Sequence, residues 1–204
     1  MKNYKLEKRI EDYVLNPRDA ILNFDLACSY HDIQQYAAAL SYYLRCGELS
    51  KDKDLVYESL ILAWDCIYKS GNRKLFERGQ ILQLIAQSPH RPEGYHLICY
   101  WLEHSEEGIV NSLTEIYNQI YSYACIGIYN KKNSIPFRYY KGYPGDYVLD
   151  FYKGFAGWHM GKVKESESIF IDIYNNQKDI LSEGWKNLIL NNIEKLGVKN
   201  RIKL

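Results

Sequence analysis

Much that would announce a function is missing from these 204 residues. There is no Gly-x-Ser-x-Gly elbow, no Walker loop and no GxGxxG turn, so neither a serine of that type nor a glycine-rich phosphate cradle is available. HExxH is absent, and the five histidines and five cysteines never fall at zinc-ligand spacing. Charge of one sign is missing too. With 26 basic side chains against 25 acidic, the formal net charge is +1, and no domain-wide positive field exists to hold a phosphate backbone. Nucleic acid is therefore not expected as a partner. Apolar runs are short. Nowhere do the roughly 18 consecutive apolar residues of a membrane span occur, and the opening MKNYKLEKRIEDY has no apolar centre for a signal peptide. Period-two alternation is not sustained anywhere, which argues against a sheet.

What is present describes a folded protein. Hydrophobic residues make up 47% and charged ones 25%, and the length suits one domain, 1–204, with a substantial core. The cysteines, at 28, 46, 66, 99 and 125, are odd in number and too widely spaced for a Cys-x-x-Cys clip. Several fall at small or apolar positions of the helical pattern, where a free thiol acts as a small hydrophobe. A reducing compartment, the cytoplasm, is the expectation. Twenty tyrosines against six phenylalanines suit an elongated protein with much half-buried surface; an AT-rich coding genome produces the same bias.

The periodicity is helical throughout. An opening helix over 3–15 carries Leu6, Ile10, Tyr13 and Val14 on one side and ends at Asn16-Pro17. Helices near 18–32 and 35–49 form a first hairpin, and 55–70 with 73–87, broken at Gly71-Asn72, a second. A third runs from 92–104 to a long helix, 107–130, whose stripe is Ile109, Leu113, Ile116, Ile120, Tyr121 and Ala124. Pro92 belongs in a helix's first turn, where its missing N–H goes unneeded. Residues 131–146 read as a long loop. Helices 147–160 and 163–175 make a fourth hairpin about Gly161, with Gly154 at the small position and Phe170 as an aromatic. A last helix, about 178–196, is apolar on one side only, the form of a cap.

One repeat stands out. Ala27, Tyr30, Tyr36, Ala39, Leu40, Tyr43 and Cys46 place small residues where helices approach closely and aromatics where gaps need filling. Leu62-Ala63 repeats Leu26-Ala27, with Ala63 lying 36 positions after Ala27. This resembles the tetratricopeptide pattern. The resemblance implies an all-α fold, an α-solenoid of about four hairpins with a C-terminal cap. It also implies a concave groove lined by the first helix of each hairpin. Carried onto this chain, the groove takes Phe24, His31 and Asp32; then Tyr57, Trp64 and Tyr68; then Arg91, Ile98 and Trp101; and finally Phe151, Phe155, Trp158 and His159. Trp and Arg are enriched at binding hot spots. The alternative is that these rings pack between hairpins or against the 131–146 loop.

Catalytic candidates are few. Asp52-Lys53-Asp54 has the form of the DxD dyad that holds metal-bound diphosphates, but it sits in a turn between helices, where Asp54 is expected to cap the next helix. His96 and Cys99 share one helix at a spacing of three, too few for a metal site. Gly154, Gly157 and Gly161 signal close helix packing. Nothing singles out a carboxylate pair. No catalytic, metal or cofactor residue is assigned. The loop 131–146 exceeds the usual length for a compact domain. Its Phe137, Tyr139, Tyr140, Tyr143 and Tyr147 stand beside Lys131, Lys132, Arg138 and Lys141, a set able to stack on a sugar, a base or a partner's aromatic, or to fold back over the groove. The four basic residues of the tail, Lys195, Lys199, Arg201 and Lys203, read as solvated.

A second resemblance rests on Pro89, Arg91, Pro92 and Glu93 in SPHRPEGYHLICYWLE, on Trp158 and Gly161 in GFAGWHMGKVKESESIF, and on NLILNNIEKLG. Over most of 17–196 the chain resembles helical segments attached to certain bacterial and viral glycosyltransferases. It implies an accessory role in glycan assembly and transfers no catalytic residue. The leading expectation is a non-enzymatic helical-repeat scaffold that binds a protein partner through its aromatic groove. The alternatives are a glycosyltransferase-associated module and a structural component of a viral particle.

Overall fold

Helix boundaries follow from the caps. In a computed structural model, which describes residues 4–71, 74–104, 112–132 and 136–202, helix α1 (Tyr4–Leu15) stops at Asn16-Pro17, since proline has no N–H to continue the ladder. Asp19 then accepts the N–H of Leu22 at 2.9 Å and opens α2 (Ala20–Asp32). Gln34 turns the chain with a φ of 62° into α3 (Tyr36–Leu49). Helix α4 (Lys53–Lys69) is capped by Asp52, whose carboxylate accepts the N–H groups of Asp54 (3.0 Å) and Leu55 (3.4 Å). The expected cap, Asp54, is already in the first turn; the extended backbone of Asp52 is what lets a side chain reach back to those donors. Helix α5 (Lys74–Gln87) follows Gly71, which takes a φ of 77°; Asn72 lies outside the described residues.

Helix α6 (Pro92–His104) has Pro92 at its first position, as predicted. Ser112 accepts the N–H of Glu115 and starts α7 (Leu113–Asn130); the rest of the expected 107–130 helix, Ile109 included, lies outside the described residues. Helices α8 (Tyr147–His159) and α9 (Val163–Gln177) join at Gly161, whose φ of 80° favours glycine. Helix α10 (Glu183–Lys195) begins later than the predicted 178 because Lys178–Ile180 turn instead, Leu181 is buried and Ser182 is extended. The tail is more ordered than expected: a 3-10 turn (Lys199–Arg201) sets Arg201 2.9 Å from Glu167 and Lys199 3.0 Å from Glu194. Lys203 lies outside the described residues.

The fold is all-α, with no strand among the described residues. The helices gather into two compact units. The first holds α1–α5 together with residues 136–142. Each helix packs on the next, α1 on α2 through α4 on α5, the nearest-neighbour pattern of a repeat protein. Ala27, Ala39, Tyr43, Cys46, Ile61, Leu62 and Ala63 are all fully buried or nearly so, and each large apolar side chain contributes roughly 1.5–3 kcal/mol.

The second unit holds α6–α10 with residues 143–146. Its helices also pack in series, and α6 additionally meets α8. Helix α6 is buried along nearly its whole length. Gly127 permits this packing: a Cβ there would lie 2.8 Å from Tyr95 Cβ and 3.0 Å from Leu149. Gly154 occupies the predicted small position, where a Cβ would be 3.1 Å from Ile169 and 3.3 Å from Phe170. Among the described residues, no helix is long and apolar enough to cross a membrane.

Candidate functional site

The apolar run of α4, LVYESLILAW, contains one acid, and that acid is buried. Glu58 is 3% exposed, so its carboxylate needs donors close by. Residues 136–142 supply them from the main chain. The N–H of Arg138 donates to Oε2 at 3.0 Å, and those of Tyr139 and Tyr140 donate to Oε1 at 2.5 Å and 3.0 Å. Three successive amides converging on one carboxylate form an anion-binding concavity of backbone. Side chains fasten the same segment. Phe137 stacks on Tyr57, with centroids 6.0 Å apart and planes 5° from parallel, and Tyr140 meets Phe137 edge-on at 5.4 Å. The Tyr139 hydroxyl donates to Asp32, and its ring lies 5.9 Å from His31. Burial and then the Asp32 bond hold that phenol protonated far above its usual range. This segment is a strap across α2 and α4.

Next to Tyr139 is a polar cluster. His31 Nε2 is 2.9 Å from Asp65 Oδ2, and Lys69 Nζ is 2.7 Å from the same oxygen. Burial alone would raise the Asp65 carboxyl, but the bonds from His31 and Lys69 outweigh it and hold the group below its ordinary range. His31 Nδ1 faces the Tyr43 hydroxyl at 3.4 Å and the Cys66 thiol at 3.8 Å. Tyr43 also donates towards Cys28 at 3.5 Å. Cysteine, imidazole and carboxylate thus stand in the order a thiol nucleophile uses, yet the thiol is not activated. Burial, helped by the charge of Asp65, pushes Cys66 up to about 12, and burial does the same to Cys28. A thiol that high stays protonated at neutral pH. The cluster therefore acts in this conformation as a hydrogen-bonded floor between α2, α3 and α4. Among the described residues, no group of three or more His, Cys, Asp or Glu is placed to hold a metal ion.

The other predicted groove residues separate by exposure. Phe24 is buried edge-on to Tyr43 at 5.7 Å. Trp64 is buried and stacks on Tyr68 at 5.4 Å, while Tyr68 is 43% exposed and presents the pair to solvent. In the second unit Arg91 is only 1% exposed, its Nε lying 3.6 Å from Glu93 Oε2. Burial raises the Glu93 carboxyl despite that guanidinium. Trp101 and Ile98 are buried in α6, and Phe151 is buried edge-on to Trp185. Phe155, Trp158 and His159 do come together. His159 lies face to face with Tyr117 at 4.1 Å and edge-on to Phe155 at 4.9 Å, with Trp158 5.6 Å away. His159 is exposed, and Phe155 and Trp158 are half-buried.

Sequence reasoning passed over Glu58, Asp65 and Lys69. A signal for Glu58 was present: a lone acid inside ten otherwise mostly apolar helical residues must find donors or remain unstable. The strap's aromatic residues were singled out, but not the main-chain amides that hold them. A separate cleft of about 490 Å³ is lined by Leu44, Glu48, Lys51, Lys53, Leu60 and Gln87 among others. It contains none of the predicted groove residues. No known family matches this chain, and none of the curated proteins does either.

Proposed function

We propose that this is a tetratricopeptide-like scaffold that holds an extended segment of a protein partner on the α2–α4 face of its first unit. The observation that carries the reading is the grip of Glu58 on three consecutive backbone amides of residues 138–140. A carboxylate that reads main chain, flanked by an aromatic shelf (Tyr57) and a second acceptor (Asp32), is the equipment for binding a peptide in extended form. The tetratricopeptide-like register is supported by its own key residues, since Ala27, Ala39 and Tyr43 are all fully buried at helix contacts. The work belongs to the cytoplasm, because the five cysteines are free and four of them are buried thiols. A binding role is favoured over catalysis by the cysteine–histidine–carboxylate grouping of the described residues, whose thiol is buried and pushed up to about 12.

The test is selection from a displayed library of random peptides, run in parallel on the parent chain and on Tyr139→Phe, with Glu58→Gln as counter-screen. The expected outcome is a set of peptides that bind with constants of about 1–100 μM and lose affinity on Glu58→Gln. If no peptide is recovered from either bait, or if those recovered bind Glu58→Gln equally well, the reading is wrong.

A further inference from the structure

The strap does more than close a surface. We infer that residues 136–142 are an internal pseudo-ligand, occupying the partner's place, and that the partner segment carries the same chemistry: an aromatic residue, any residue, then two aromatics of which the first is a tyrosine, with cations beside them. The inference rests on the peptide-binding reading above and adds to it the identity of the ligand class and the means of control.

The geometry reads as a template. Phe137 supplies a ring to Tyr57 at 6.0 Å. Arg138 contributes its amide to Glu58 and exposes its side chain, so the second position is free in identity. Tyr139 contributes both an amide to Glu58 and a hydroxyl to Asp32, which specifies tyrosine over phenylalanine at the third position. Tyr140 is buried and packs edge-on to Phe137, which specifies a second ring at the fourth. The strap's two basic side chains, Arg138 and Lys141, are exposed beside these contacts, while Asp32 on the receiving face also pairs with Lys5 at 3.3 Å. The hydrogen bonds to Glu58 and Asp32 join residues 80 to 107 apart in sequence, so the occupant is held by these contacts and by its tether. A tether competes through effective concentration, commonly in the millimolar range, so a free peptide must outcompete it to bind.

The experiment uses the labelled peptide Pro-Phe-Arg-Tyr-Tyr-Lys-Gly, copied from residues 136–142, and a control with its three rings replaced by serine. Binding is measured by fluorescence anisotropy to four folded chains: the parent, Tyr139→Phe, the strap-released Phe137→Ser/Tyr139→Ser, and that released form with Glu58→Gln. The expected result is affinity at least about tenfold higher for the released form than for the parent, with Tyr139→Phe in between. Adding Glu58→Gln should abolish the gain, and the control peptide should bind none of them. Should the released form fail to fold, Tyr139→Phe against the parent decides alone, because it removes only one hydroxyl. Equal affinity for parent and released forms, or binding indifferent to Glu58→Gln, overturns the inference. So does the absence of binding to a released form that melts as a folded protein. Library peptides that depend on Glu58 but lack the aromatic–x–Tyr–aromatic pattern would sink this inference and leave the peptide-binding reading standing. A library that yields nothing sinks both.

Discussion

Two buried helices, α4 in the first unit and α6 in the second, solve the same problem with different chemistry. In the first unit, α4 buries a carboxylate, and three backbone amides satisfy it together with a stacked ring on either side of the contact. In the second, α6 is enclosed mostly by rings. His96 lies 5.8 Å from Tyr143 and 6.1 Å from Tyr152, and the buried contact of Glu93 with Arg91, just ahead of the helix, is a looser 3.6 Å. Hydrogen bonds to main chain are directional and can be exchanged for another segment's amides, whereas ring packing fills volume with one particular set of side chains. The first arrangement suits an exchangeable occupant and the second a permanent core.

The largest effect is expected where that contrast is sharpest. Glu58→Ala removes three hydrogen bonds to a carboxylate at about 1.5 kcal/mol or more each, so the strap should lose at least about 4.5 kcal/mol of closure. Amide hydrogen exchange at Arg138, Tyr139 and Tyr140 should then rise to loop-like rates while α6 and α8 keep their protection. Continued protection of those three amides would refute the clamp.

Acid should attack the second unit next. Burial lowers His96 to about 4, from an ordinary value near 6.5. Between those values the unfolded chain binds a proton that the native chain does not, so stability falls as pH drops through this window and levels off below it. The loss is on the order of 3 kcal/mol. Melting followed from pH 7 to pH 4 should show this slope, and His96→Leu should flatten it. An unchanged slope in that variant would mean that other groups carry the acid sensitivity.

Substitutions at the small contact positions come third. Ala39→Leu in the first unit and Gly127→Val in the second each force helices apart and should cost about 1–3 kcal/mol by overpacking. Thermal melts matching the parent would show that these close approaches are not needed. The smallest effect belongs to Tyr139→Phe. Losing one half-exposed hydroxyl bond should cost about 1 kcal/mol, seen as slightly faster trypsin cleavage after Arg138 and Lys141.

The helices were legible because periodicity and caps are local. Asn16-Pro17, Pro92 and Gly161 mark boundaries from sequence alone, and Ala27, Ala39 and Tyr43 are buried, as the helical pattern requires of contact positions. Asp52 and Asp54 show the limit of such rules, since both are good capping residues and only backbone geometry chose between them. The site was half legible. Tyr57, Asp32 and His31 were placed on one face, and the aromatic loop was singled out as either ligand-binding or self-covering. What sequence did not reveal was the pairing of Glu58 with amides 80 residues away, because main-chain donors carry no side-chain signature. Arg91 was misleading in a related way: a guanidinium reads as surface, but beside Glu93 it can be buried.

The first unit is discontinuous along the chain, and that has a consequence for its birth on the ribosome. Helices α1–α5 are complete by Gln87, but the amides that Glu58 needs belong to residues 138–140. At synthesis rates of about 5–20 residues per second, several seconds separate the two. During that interval Glu58 has none of the three amides that satisfy it in the finished fold. If this face binds a peptide as proposed, that interval is when the place is vacant.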